Sequence, residues 1–178
     1  MRQIFQTPAG RLVVDHGVPA DGAEVLGLYE RVLAEERWFI SSPEELSMDA
    51  DTMGAQIGWL NRRENCCFMT GRLKRELVGA VRLTGGDMAR TRHVARLEIF
   101  VAASVRGGGV GRALMHAVIA WAEDSPRLSK LSLNVFDDNE RAVHLYERMG
   151  FVVEGRRPGE YRERDGRLRG DVLMARLV

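Results

Sequence analysis

The chain is poor in lysine, in cysteine and in long apolar runs, and each shortage removes a class of function. Of its 26 basic residues only Lys74 and Lys130 are lysines, and 25 acids bring the formal net charge to +1. A near-neutral chain without an aromatic-basic stripe offers no electrostatic footing for nucleic acid or a membrane surface. The two cysteines, Cys66 and Cys67, are adjacent. Vicinal cysteines rarely bridge, so no disulfide framework is available. His16, His93, His116 and His144 share no metal-ligand spacing with one another or with the cysteines, and no metal is expected. No apolar run approaches the ~20 residues that a membrane helix requires. The start, Met1 to Pro8, lacks the apolar core of a signal peptide. The expected setting is a reducing cytoplasm. With 178 residues, 45% hydrophobic and free of repeats or linkers, the chain suits one domain over residues 1–178.

What is present reads as alternating strands and helices. Arg11 to His16 is a first strand. Asp21 caps a helix carrying Val25, Leu28, Tyr29 and Val32, and Ser42-Pro43-Glu44-Glu45 has the form of a second helix start. Asn65 to Gly71, Leu77 to Thr84 and His93 to Val101 read as three consecutive strands. After a glycine turn, Leu114, Val118 and Trp121 mark a third helix. Leu131, Leu133 and Val135 alternate as a fifth strand. A helix with Ala142, Leu145, Tyr146 and Met149 ends at Gly150, and two strands joined at Asp165-Gly166 close the chain. The order predicts a mixed, mostly antiparallel α/β sheet of six to seven strands with four helices.

The glycine turn carries the chemistry. Val105-Arg106-Gly107-Gly108-Gly109-Val110-Gly111-Arg112 joins a strand to a helix N-terminus. Such a junction aims free N–H groups and the positive end of the helix dipole at one point, where a phosphate fits. A nucleotide P-loop needs Lys and then Ser or Thr after its last glycine, but Arg112 and Ala113 stand there. A dinucleotide fingerprint needs a third glycine or alanine where this chain has Leu114 or Arg112. A third pattern is Gln or Arg, two residues, Gly, one residue, then Gly or Ala. Arg106, Gly109 and Gly111 match it.

A second segment follows the fifth strand run: Asn139, Ala142, Tyr146, Gly150 and Phe151 match Asn, two residues, Ala, three residues, Tyr, three residues, Gly-Phe. Together the two segments resemble the signatures of the GCN5-related N-acetyltransferase (GNAT) superfamily. The resemblance covers Leu77 to Val178 well, and the first seventy residues only by element order.

The resemblance implies a sheet splayed between strands four and five, with the coenzyme entering the gap. Acetyl-coenzyme A is the implied co-substrate. Phe100 and Val101 would pair with its pantetheine arm. Arg106, Gly107, Gly108, Gly109, Val110, Gly111 and Arg112 would cradle the pyrophosphate. Asn139 would bond the arm, and Tyr146 would protonate the leaving thiolate. The implied activity is direct acetyl transfer to a primary amine of a small molecule or a protein N-terminus. A non-catalytic acyl-CoA sensor is the alternative, and a homodimer is left open. Relatives often keep an acid where this chain has Arg96 or Asn134, so the general base is reassigned to Glu98, with His93 or a water relay behind it. Trp38-Phe39-Ile40 is a candidate wall of the acceptor site. The arginines between Arg156 and Arg169 could attract an acidic acceptor, but read first as a solvated hairpin.

Overall fold

In the computed structural model, which describes residues 2–178, every strand run read from the sequence is present and one more is added. The chain runs β1 (Gln3–Thr7), β2 (Gly10–His16), α1 (Gly22–Leu33), α2 (Ala50–Asn61), β3 (Cys67–Leu73), β4 (Glu76–Gly85), β5 (Val94–Val101), α3 (Val110–Glu123), β6 (Lys130–Phe136), α4 (Glu140–Arg148), β7 (Val152–Arg162) and β8 (Leu168–Leu177). The strands form one sheet of eight, in the order β1-β2-β3-β4-β5-β6-β8-β7. The expected six to seven strands are corrected to eight. The added strand is β1, an edge strand of alternating half-buried and exposed residues that pairs only with β2. With it counted, the expected strands four and five are β5 and β6.

Two helix starts also differ from expectation. Asp21 does not cap α1; its carboxylate accepts from the Val18 N–H and from Arg72. Ser42 to Glu45 builds a single 3-10 turn, Pro43–Glu45, closed by the Glu45 carboxylate on the Ser42 N–H. The helix itself begins at Ala50, where the Asp49 side chain accepts from Thr52 N–H at 2.8 Å. Both Ser42 and Asp49 carry start chemistry, and only the second is followed by a sustained buried stripe of Met53, Ile57 and Leu60.

Period-two alternation gives the sheet two different faces. On one face Ala95 and Leu97 of β5, with Leu131, Leu133 and Val135 of β6, pack against α3, against Tyr146 of α4 and against Met149 at its end. On the other, α1 and α2 cover β3, β4 and Phe100 of β5, and this second core includes no residue of β6, β7 or β8 among the described residues. The opposite face of β6 and β8 is therefore left to side chains rather than to a helix, and there the cavity opens.

Candidate active site

Among the described residues β5 and β6 are the only parallel neighbours in the sheet, and they pair over three residues: Val94 with Lys130, Ala95 with Leu131, Arg96 with Ser132. Beyond Arg96 the two strands part, as the splay expected there required. Continued register would set Glu98 opposite Asn134 and Phe100 opposite Phe136; instead all four line a cavity of about 1010 Å³. The same cavity is lined by the glycine turn, by α4 and by the connection between α1 and α2.

At one end lies the glycine turn. Gly107 and Gly109 have φ of 86° and 83°, the left-handed region that glycine enters without strain. Gly109 is the N-cap of α3. The N–H groups of Gly107, Gly109, Val110, Gly111 and Arg112 have no acceptor among the described residues. Five free donors at the positive end of a 14-residue helix form an anion site. Gly108 is turned the other way. Its carbonyl accepts from Ala9 N–H at 3.1 Å, and a Cβ there would stand 2.6 Å from the Ala9 Cβ. The β1–β2 hairpin is thus the back wall of the turn. Val110 contributes its N–H while its side chain is buried in the core.

The arginines divide. Arg106 is not free to bind phosphate: its Nε donates to Val101 O at 3.0 Å and its Nη groups hold Glu35. It anchors the end of β5. Arg112 lines the cavity and bonds only weakly to His116, at 3.5 Å. Arg141, which sequence reasoning missed, brings its guanidinium to the turn, 3.5 Å from where a Cβ of Gly107 would be. Its place in the first turn of α4, two residues after Asn139, was the available signal.

Asn139 and Tyr146 both line the cavity. Asn139 caps α4, its side-chain oxygen accepting from Ala142 N–H at 3.3 Å. The amide nitrogen has no protein acceptor among the described residues. Tyr146 is 8% exposed and packs at 6.0 Å from Phe151. Its hydroxyl makes no hydrogen bond among the described residues, and burial pushes its pKa up to about 12.

On the other side of the gap stands Glu98, whose Oε2 accepts from Arg82 Nη2 at 2.6 Å across the β4–β5 ladder. The other carboxylate oxygen faces no donor among the described residues. His93 is exposed at the joined end of β5 and does not line the cavity. Trp38, Phe39 and Ile40 do line it, with Tyr29 packed edge-on to Phe39 at 5.6 Å.

The arginine-rich hairpin is more than a solvated face. Asp171, 2% exposed, accepts from Arg157, Tyr161 and Asn134, the last at 2.9 Å. Burial raises its pKa, but the bonds from Arg157, Asn134 and Tyr161 outweigh that and hold the carboxyl below its ordinary value. Arg169, 6% exposed, lies over Phe136 at 3.8 Å and donates to Asp138, Glu163 and the Arg37 carbonyl. It fixes the segment that carries Trp38. Nothing in the local sequence distinguished Arg157 and Arg169 from their exposed neighbours; the strand register does.

A strand–glycine-turn–helix anion site beside a parted parallel pair defines an acyl-coenzyme A transferase architecture. Residues 29–151 match the acetyltransferase (GNAT) family, and the chain belongs to it. An uncharacterized N-acetyltransferase of Mycobacterium tuberculosis is 30% identical, over 70% of this chain and 80% of that one. L-amino acid N-acetyltransferase AaaT of Escherichia coli is 31% identical, over 57% of this chain and 62% of its own. The chain spans between half and two thirds of the length of two curated relatives it matches, AaaT among them. A GNAT-family acetyltransferase from Streptococcus pneumoniae superposes with a TM-score of 0.90 at 27% identity, covering 94% of this chain and 99% of that one.

Proposed function

We propose that the protein transfers the acetyl group of acetyl-coenzyme A to a primary amine by direct attack within a ternary complex. The observation that carries this reading is the set of five unsatisfied N–H groups at the end of a gap between two strands. The residues present fit the coenzyme. Gly107, Gly109, Val110, Gly111 and Arg112 would hold the pyrophosphate, aided by the Arg112 and Arg141 guanidiniums. Phe100 and Val101 lie on the part of β5 that no longer pairs with β6 and would meet the pantetheine arm there, although the Val101 carbonyl already accepts from Arg106 Nε, and the Asn139 amide is a free donor.

The coenzyme supplies an activated thioester; the remaining steps belong to the chain. Glu98 takes a proton from the incoming ammonium at its free oxygen, directly or through water. Tyr146 keeps its hydroxyl proton through the neutral range, since burial holds its pKa near 12; it gives that proton to the departing sulfur and regains one as the newly acylated nitrogen sheds its second proton. Glu98 and Phe100 share one sheet face and Tyr146 packs on the other, so amine and coenzyme approach from opposite sides of the gap.

The relatives are named for L-amino acids, for spermidine and for peptidyl-lysine, so their names agree on an amine and on nothing finer. The test is a panel of amines and peptides scored by free thiol release from acetyl-CoA, with Glu98→Gln beside the native protein. The variant should lose kcat/KM at neutral pH and recover as pH rises towards the amine's own pKa. A loss independent of pH reassigns Glu98 to packing. Absence of turnover with any amine, with coenzyme binding intact, overturns the transfer reading.

A further inference from the structure

We propose that the acceptor is an α-amino acid, with Arg96 binding its carboxylate and Glu98 meeting its amine. The proposal rests on the acetyl-transfer reading above and adds the chemical class of the acceptor.

Most of the acids in the acceptor half of the cavity are already neutralised. Three carboxylates line it, and each holds an arginine: Glu98 with Arg82 at 2.6 Å, Asp138 with Arg169 at 2.6 Å, Asp171 with Arg157 at 2.5 Å. The fourth acid of the lining, Glu140, stands in the first turn of α4 with no arginine paired to it among the described residues, a single negative charge against the free arginines of the lining. Of the five lining arginines with no carboxylate partner among the described residues, Arg112, Arg141 and Arg148 belong to α3 and α4, and the other two are Arg37 and Arg96. Arg37 stacks on Trp38 at 4.6 Å. Arg96 has no ion pair or hydrogen bond and lines both the main cavity and a smaller one of about 390 Å³ between α2 and the β4–β5 ladder. The uncompensated charge at the mouth is therefore positive.

Position gives this charge a use. Arg96 and Glu98 are two residues apart on β5, so they project from the same face, ~7 Å apart along the strand. Arg96 sits at the last paired position, where the gap begins, and Glu98 at the first turn of side chains inside it. Arg82 reaches Glu98 from β4, which leaves one Glu98 oxygen towards the gap. A guanidinium and a half-occupied carboxylate at this spacing match a zwitterion, whose carboxylate and ammonium are held a fixed few bonds apart. Arg96 can take the carboxylate with two parallel N–H bonds, which turns the amine towards Glu98 and the parted strands. A polyamine or a peptide lysine would instead bring a further positive charge to a mouth that already has two free guanidiniums.

The experiment uses matched acceptors: an L-amino acid, its carboxamide and the corresponding decarboxylated amine. Each is scored by thiol release from acetyl-CoA. The native protein should prefer the free acid in kcat/KM by between about 10- and 100-fold, the range for a hydrogen bond to a charged group. Arg96→Gln should bring that ratio close to one, mainly through KM, and Arg96→Lys should restore part of it, keeping the charge without the planar fork. A thermal shift on adding CoA, measured for each variant, verifies that the fold and the coenzyme site are intact. Equal turnover of acid and amide by the native protein, or an unchanged ratio in Arg96→Gln, overturns the amino-acid assignment and leaves acetyl transfer standing. No turnover of any acceptor, with the CoA shift present, overturns the transfer reading and this assignment with it.

Discussion

Arg106 and Glu35 are joined by two bonds, Nη1 to Oε2 at 2.5 Å and Nη2 to Oε1 at 2.7 Å, and the pair ties the entrance of the glycine turn to the segment leading to Trp38. One residue of the coenzyme signature is thereby spent on holding the acceptor wall. The pair is three-quarters buried, so its worth is at most the upper end for a surface ion pair, about 1 kcal/mol.

Glu35→Gln should therefore raise the acceptor KM by about 2–5-fold, the factor that such a loss allows. Coenzyme affinity should stay unchanged, because the five N–H donors are untouched. Steady-state kinetics beside a CoA titration would check it; a weakened CoA affinity with an unchanged acceptor KM would reverse the reading.

The coenzyme site is best tested at Gly111. A Cβ there meets only Leu145 and Val101 at ordinary contact, 3.7 and 3.8 Å, whereas Gly109 has positive φ and would crowd Pro8. Gly111→Asp puts a carboxylate in the first turn of α3, which leaves stability the same or raises it by about 0.5 kcal/mol through the helix dipole. It should abolish the rise in Tm produced by acetyl-CoA. An undiminished rise would remove the turn from coenzyme binding.

Tyr146→Phe deletes one hydroxyl in a packed site. The expected result is a fall in kcat of ~10²-fold with CoA affinity kept. The native enzyme should show no loss of this acid below its pKa of about 12. The raised value also has a consequence for folding. The buried neutral phenol contributes stability fully below its ordinary pKa of 10.0, and the contribution is lost as pH climbs from there through about 12. Tyr146→Phe should flatten the Tm-against-pH curve in that window.

Asp171→Asn removes the charge that Arg157, Asn134 and Tyr161 converge on. It should cost about 2–4 kcal/mol, less than a fully buried pair because Arg157 is partly exposed. The sign with pH is opposite to that of Tyr146. A carboxylate held below its ordinary value of 3.8 contributes stability above that pH, and the contribution fades as pH falls through the lowered value. The native and variant melting curves should therefore converge in acid.

The sequence was legible where local chemistry and periodicity coincide. The glycine turn, the Asn139 cap, the Tyr146 helix face and the alternation of β6 each need only nearby residues, and each stands where it was expected. What depended on long-range register was not legible. β1 needed its partner β2 to become a strand. Arg157 and Arg169 became distinct from Arg156, Arg162 and Arg167 only through β7–β8 pairing, which turns them towards Asp171 and Phe136. Glu98 was recognisable as an acid beside the gap, but not as the partner of Arg82, because the β4–β5 register sets that pair. Arg106 matched the coenzyme pattern by type, and its actual partner, Glu35, lies 71 residues away.

The three residue pairs between β5 and β6 also bear on how the molecule unfolds. Among the described residues, main-chain bonding across the middle of the sheet is confined to His93–Arg96 and Ser129–Ser132, while the α1–α2 core stops at β5. The two halves of the sheet are then coupled chiefly through α3 and its apolar contacts. A ligand lying in the gap and bonded to both sides acts as the missing rung of the ladder. Without it, β6 to β8 should exchange their amide hydrogens earlier than β2 to β5; with it, the two groups should open together, so that the coenzyme changes the cooperativity of the fold as well as its stability.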